Sequence, residues 1–105
     1  MSNPIIVTVI FTAAPSKRNE MIEALKRGIE EVHTESGCEL YAIHSAEDDT
    51  VVMLEKWSSV SDLDAHAVGE PVKRLDASLV GLMANPAVVT RATPIAAGQP
   101  DKGQL

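Results

Sequence analysis

Two strand-length segments, "IIVTVIFT" (Ile5–Thr12) and "VVMLEKW" (Val51–Trp57), are apolar at nearly every position rather than at every second one. Successive side chains of a strand point to opposite faces, so a strand that is apolar throughout has to be covered on both sides. Ile5, Val7, Val9 and Phe11 alternate with Ile6 and Ile10 in the first, and Val51 and Met53 alternate with Val52 and Leu54 in the second. Any fold open to this chain must hide both sets.

The remaining pattern supplies a cover for one face. "APS" opens a long helix, with Ser16 placed to act as N-cap by accepting from an unpaired amide of the first turn. Met21, Ile22, Leu25, Ile29 and Val32 form its apolar stripe, while Glu23, Arg27, Glu30 and Glu31 face away. "ESG" ends it, Gly37 being able to take the left-handed conformation of a helix stop. "CELYAIHSA" (Cys38–Ala46) then pairs with Val51–Trp57 across the turn "EDDT". "SVSD" resembles a capping box and starts a short helix over Val60–Val68, broken by Gly69 and Pro71. Val72, Leu75, Leu79, Leu82 and Met83 give a further helical stripe, closed by "ANP", and "AVVTRATPI" (Ala87–Ile95) is the last strand.

The order is β–α–β–β–α–β with the second helix split. That is an α+β, ferredoxin-like arrangement: one antiparallel sheet with helices on a single face. The other face would remain a large apolar patch on a lone chain, so a second subunit laid sheet to sheet is expected, giving a two-fold homodimer. The rival explanation is that these strands merely carry high β-propensity.

Composition mainly excludes. At 105 residues the chain makes one domain, expected over residues 1–97, with residues 98–105 a flexible tail. A net charge of −6 without any basic run argues against a nucleic-acid partner. "MSNPIIVTVIF" has no positive n-region and too short an apolar run to cross a bilayer, so no membrane partner and a cytoplasmic location are expected. The single cysteine, Cys38, has no intrachain disulfide partner, which fits a reducing compartment.

The candidate chemistry gathers in "EKWSSVSDLDAH" (Glu55–His66). His66 lies three residues past Leu63, near the inward side of the short helix, where an imidazole can take or give a proton near neutral pH. Glu55 and Trp57 share a strand face by alternation. If that face meets the helices, a carboxylate, an indole and an imidazole converge on one cavity; if it faces a partner subunit, Glu55 belongs to the dimer contact. Tyr41 on the neighbouring strand could donate to a substrate oxygen, and Arg91 on the last strand could balance an anion. Half-buried packing for Tyr41 and a surface ion pair for Arg91 are the stronger readings. His33 and His44 have no companion at ligand spacing, so no zinc or iron motif can be written, and singly placed glycines make no phosphate-cradling loop.

Read together, "IVTVIFTAAPSKRNEMIEAL", "ESGCELYAIH" and "VVMLEKWSSVSDLDAH" resemble the antibiotic biosynthesis monooxygenase domain, especially its small quinol-monooxygenase-like members. The carriers are Pro15 before the helix, Gly37–Cys38 followed by Tyr41, Glu55 with Trp57, and Leu63 with His66, and the likeness runs from about Ile5 to Ile95. The resemblance implies a dimeric α+β barrel and oxygenation without metal, flavin or haem, so that no cofactor is expected. On that model an electron-rich substrate, once deprotonated, passes an electron to dioxygen, while the protein removes the proton, stabilises the oxyanion and excludes water. His66 would be the catalytic base, Trp57 a wall of the substrate site beside Glu55, and Tyr41 or Arg91 partners of the oxyanion.

The likeness is incomplete. Where many relatives carry a Ser-Pro-His-Phe-like run, this chain has "GEPVKRL", with Pro71 and Val72 in place of the histidine and aromatic. The Asn–Trp–His set of the haem-degrading branch is missing, which argues against haem degradation. Aromatic residues amount to 3%, which favours a small quinol, phenol or enol over a stacked polycycle. Two other readings remain at this stage: a non-oxygenating isomerase or degradative enzyme for a small oxygenated metabolite, and a non-catalytic small-molecule-binding dimer.

Overall fold

A computed structural model describes residues 3–105; Met1 and Ser2, where the expected domain begins, lie outside the described residues. The elements run β1 (Ile5–Thr12), α1 (Arg18–Val32), β2 (Cys38–Ser45), β3 (Thr50–Trp57), α2 (Val60–Ala67), α3 (Glu70–Ser78) and β4 (Val88–Ala92). The strands form one four-stranded sheet in the order β2-β3-β1-β4, with every neighbour antiparallel. This is the ferredoxin-like α+β fold expected from the pattern. No helix among the described residues is long and apolar enough to cross a membrane.

Alternation sorts the strands onto two faces. Val7, Val9 and Phe11 of β1 and Val51, Met53, Glu55 and Trp57 of β3 are buried on the face that meets the helices. Met21, Leu25 and Val32 of α1, Leu63 of α2 and Leu75 of α3 close the core from above. Gly28 permits the tightest approach of α1 to α3, since a Cβ there would run into the side chain of Leu75. The opposite face carries Ile10, 41% exposed, and Val88, 58% exposed, with half-buried Thr8, Val52 and Leu54. Both apolar sets expected from the sequence are therefore present, and the helices cover only one.

Some local expectations need correction. Ser16 does not cap α1: its φ is +65°, because the chain turns tightly there with the Lys17 amide donating to the Ala14 carbonyl at 2.9 Å. Lys17 takes the N-cap place and makes no side-chain cap bond. α1 ends with His33 at its C-cap, and Gly37, φ +81°, instead sets the entry into β2 beside Asp62. α3 stops at Ser78, where the Leu79 amide bonds back to the Leu75 and Asp76 carbonyls and Gly81 adopts φ +82°. Leu82 and Met83 thus lie beyond the helix, Met83 bridging to Ala13. The start of α2 agrees with the sequence: the Ser59 hydroxyl accepts from the Asp62 amide at 3.1 Å, and the Asp62 carboxylate accepts from both Ser58 and Ser59.

Candidate active site

Register brings the first group of polar residues together. Tyr41 pairs with Glu55, Glu55 with Val7, and Val7 with Arg91, so one row across all four strands reads Tyr41–Glu55–Val7–Arg91. All four point to the helix side, since Val7 does. Glu55 therefore faces the cleft and not the bare side of the sheet. Above this row α2 lays His66, which is 5% exposed.

Between row and helices lies a cavity of about 230 Å³. Tyr41, Glu55, His66, Asp76 and Arg91 supply its polar lining, among apolar walls that include Val7, Leu63 and Val72. Past Phe11, Asp76 and Ala87 it adjoins a shallow groove edged by Leu79, Val80 and Met83. Trp57 is placed differently. It is fully buried and does not line the cavity; its ring lies 4.5 Å from that of His66, tilted by 31°, and its indole N–H donates to Glu55 Oε1 at 2.9 Å. The tryptophan braces two cavity residues from behind.

The imidazole has a partner that sequence reasoning missed. His66 Nδ1–H donates to Glu35 Oε1 at 2.8 Å, across 31 residues of chain, in a pair largely withdrawn from solvent. Donation from Nδ1 leaves Nε2 with the lone pair. No side chain among the described residues bonds Nε2, and no buried side-chain polar atom lacks a partner, so Nε2 is an open atom at the cavity. The edge of Tyr41 completes the surround, its ring 5.4 Å from the imidazole. Histidine held by a carboxylate at one nitrogen and open at the other is the arrangement of an oriented base.

Burial governs the other ionisable groups. Loss of solvent pushes the Glu55 carboxyl up from its ordinary 4.5, against the lowering influence of the Trp57 hydrogen bond and of nearby His66 and Arg91. Asp76 is raised by the same cause, with His66 opposing. The Tyr41 phenol is driven far upward by burial first and then by Glu55, Asp76 and Glu35, so it enters chemistry as a neutral O–H donor. Burial and the carboxylates of Glu35 and Glu55 also push the Cys38 thiol up, which makes it a poor nucleophile at neutral pH. Arg91 reaches the cavity while donating to Asp64 at 3.0 Å on the exposed rim. The other two histidines are tied to backbone carbonyls, His33 to Tyr41 at 3.0 Å and His44 to Val52 at 3.3 Å.

Comparison with known proteins gives a consistent answer. A family model described as antibiotic biosynthesis monooxygenase matches residues 4–77. That span includes Glu35, Tyr41, Glu55, Trp57, His66 and Asp76, but stops short of Arg91. Rv0793 from Mycobacterium tuberculosis superposes with a TM-score of 0.82 at 26% identity, covering 92% of this chain and all (100%) of that one. A conserved protein from Methanosarcina mazei gives 0.80 at 24% identity, covering 87% of this chain and 92% of its own. A candidate antibiotic biosynthesis monooxygenase from Caulobacter crescentus gives 0.83 at 21% identity, with 90% and 92% covered. No functionally curated protein matches the chain.

Proposed function

The chain belongs to the antibiotic biosynthesis monooxygenase family, and from that premise we propose that it is a cofactor-independent monooxygenase acting on a small quinol, phenol or enol with dioxygen. The observation that carries this reading is the carboxylate-held His66, open at Nε2, in a mostly apolar cavity. A cavity of about 150 Å³ holds benzene, so 230 Å³ suits a one- or two-ring compound.

The residues divide the work in a definite way. His66 Nε2 takes the substrate proton, and the negative Glu35 stabilises the imidazolium that forms. Tyr41 O–H and the Arg91 guanidinium stabilise the substrate oxyanion. The electron-rich anion then gives one electron to dioxygen; the two radicals join through a new C–O bond, the resulting peroxide anion takes back the proton from the His66 imidazolium, and the hydroperoxide loses water, its carbon-bound hydrogen leaving with the terminal hydroxyl, to leave a carbonyl. For a hydroquinone this gives a hydroxyquinone and water, using one dioxygen and no outside reductant. The apolar walls slow leakage of the radicals to solvent.

A second copy of the chain, packed on the bare sheet face, is the partner this reading includes. It would cover Ile10 and Val88, which stand exposed beside buried Ile6 and half-buried Val52 and Leu54.

The reaction is tested by oxygen consumption of metal-stripped protein with a panel of hydroquinones and anthrones, beside His66→Ala. Uptake above the uncatalysed rate that disappears in the variant is expected. Turnover of substrate without oxygen loss would point to a non-oxygenating enzyme, and binding without turnover to a carrier.

A further inference from the structure

The oxygenation scheme gives chemical roles to His66, Tyr41 and Arg91 and leaves Glu55, which lies in the same sheet row as the last two, without one. Its position is unusual for a surface-forming residue type: it is 3% exposed, in mid-strand, with apolar Val7 as its neighbour on β1. Trp57 holds one of its oxygens, and among the described residues no group hydrogen-bonds the second, which is therefore open at the cavity. Its cationic neighbour in the same sheet row, Arg91, is engaged by Asp64 at the rim. A proton acceptor on α2 and a carboxyl on β3 thus face one guest from opposite walls.

We propose that the cavity also interconverts the keto and enol forms of a small ketone without oxygen, with His66 as the base at carbon and Glu55 as the acid at the carbonyl oxygen. The steps balance. The α C–H bond breaks, its proton going to His66 Nε2 and its electron pair forming the C=C bond. The carbonyl π pair takes the proton of the Glu55 carboxyl as a new O–H bond. Glu55 is left as carboxylate and His66 as imidazolium, and solvent returns a proton from one to the other. Nothing is oxidised or reduced. The groups facing Glu55 are Tyr41 from β2, Arg91 from β4, His66 from α2 and Asp76 from α3, with Glu35 behind the imidazole. The burial that keeps the Glu55 proton on above its ordinary range agrees with the acid role. This activity shares only the His66 base with the oxygenase reading and needs none of its oxygen chemistry.

The test is anaerobic exchange of the α-protons of 1-indanone in deuterium oxide, followed by proton NMR with wild-type protein, His66→Ala and Glu55→Gln. Wild type should exceed the buffer rate, with a loss of about a hundredfold in His66→Ala and about tenfold or more in Glu55→Gln. Wild-type exchange should also fall on the alkaline side, where Glu55 ionises, and Glu55→Gln should lack that limb, a difference a purely structural role would not produce. Glu55→Leu serves if the glutamine variant does not fold, judged by thermal melting. Exchange no faster than buffer up to the solubility of 1-indanone overturns the proposal, as does a folded Glu55 variant with wild-type rate and pH profile. Oxygen uptake on quinols without ketone exchange would overturn this inference and leave the oxygenase standing; exchange without oxygen uptake would do the reverse.

Discussion

The two faces of the sheet are built by the same strands one residue out of step, and they carry opposite anomalies. On the helix-covered face, polar residues stand where apolar ones would pack better: Glu55 and His66 are buried among valines and leucines. On the bare face, apolar residues stand where polar ones would dissolve better, Ile10 and Val88 foremost. Burying an ionisable group costs free energy unless a partner compensates, and here partners are supplied: Trp57 for Glu55 and Glu35 for His66. On the bare face Ile6 is buried and Lys56 donates to the Leu105 carbonyl at 3.0 Å, but Ile10 and Val88 remain exposed. In the reading proposed above, one face is the place for chemistry and the other the place for a second copy.

Adjacent substitutions break this contrast most sharply. Val9→Asp places a charge in the core, where Val9 is 6% exposed, and costs several kcal/mol against a total stability of about 5–15 kcal/mol. Circular dichroism should find that variant largely unfolded. Ile10→Asp, the next residue, should fold normally and instead weaken self-association, read by light scattering as a shift from dimer toward monomer. A folded Val9→Asp would erase the distinction between the faces.

Next comes the brace behind the site. Trp57→Ala should lower stability by about 3–5 kcal/mol in urea unfolding, because a fully buried indole and its bond to Glu55 are lost together. Glu35→Gln probes the support of the base with little change in packing. The glutamine oxygen can still accept from Nδ1–H but carries no charge to stabilise the imidazolium, so catalysed oxygen uptake should drop by roughly tenfold or more while melting changes little.

The smallest effect is a pH dependence. The folded chain holds the Glu55 proton above the ordinary 4.5, so it binds more protons than the unfolded chain in that window. Stability therefore contains a contribution from Glu55 that is full below about 4.5 and is lost as pH rises through the raised value. Glu55→Gln should flatten that slope in denaturant titrations at successive pH values; an unchanged slope would place the titration elsewhere.

Much of this was legible in the alternation of the strands. The register row Tyr41–Glu55–Val7–Arg91 follows from period two and antiparallel pairing, and His66 follows Leu63 inward by helical spacing. Which face Glu55 takes was not legible, because both faces of β3 are apolar and only helix docking decides. Glu35 left no pattern at all: it sits in the turn after α1 and meets His66 only through tertiary closure. The stripe through Leu82 and Met83 misled because those residues still pack against the core after the helix has ended, so apolar spacing outlasts the hydrogen-bond pattern. Ser16 has the chemistry of a cap but the backbone of a tight turn.

The central claim is that His66 offers a basic nitrogen to the cavity because Glu35 holds the other. Nitrogen-15 NMR of histidine-labelled protein tests this directly at a pH where the ring is neutral. The account predicts a protonated Nδ1 and an unprotonated Nε2 in wild type, with that preference weakened in Glu35→Gln. A wild-type ring protonated at Nε2, or one indifferent to the loss of the Glu35 charge, would contradict it.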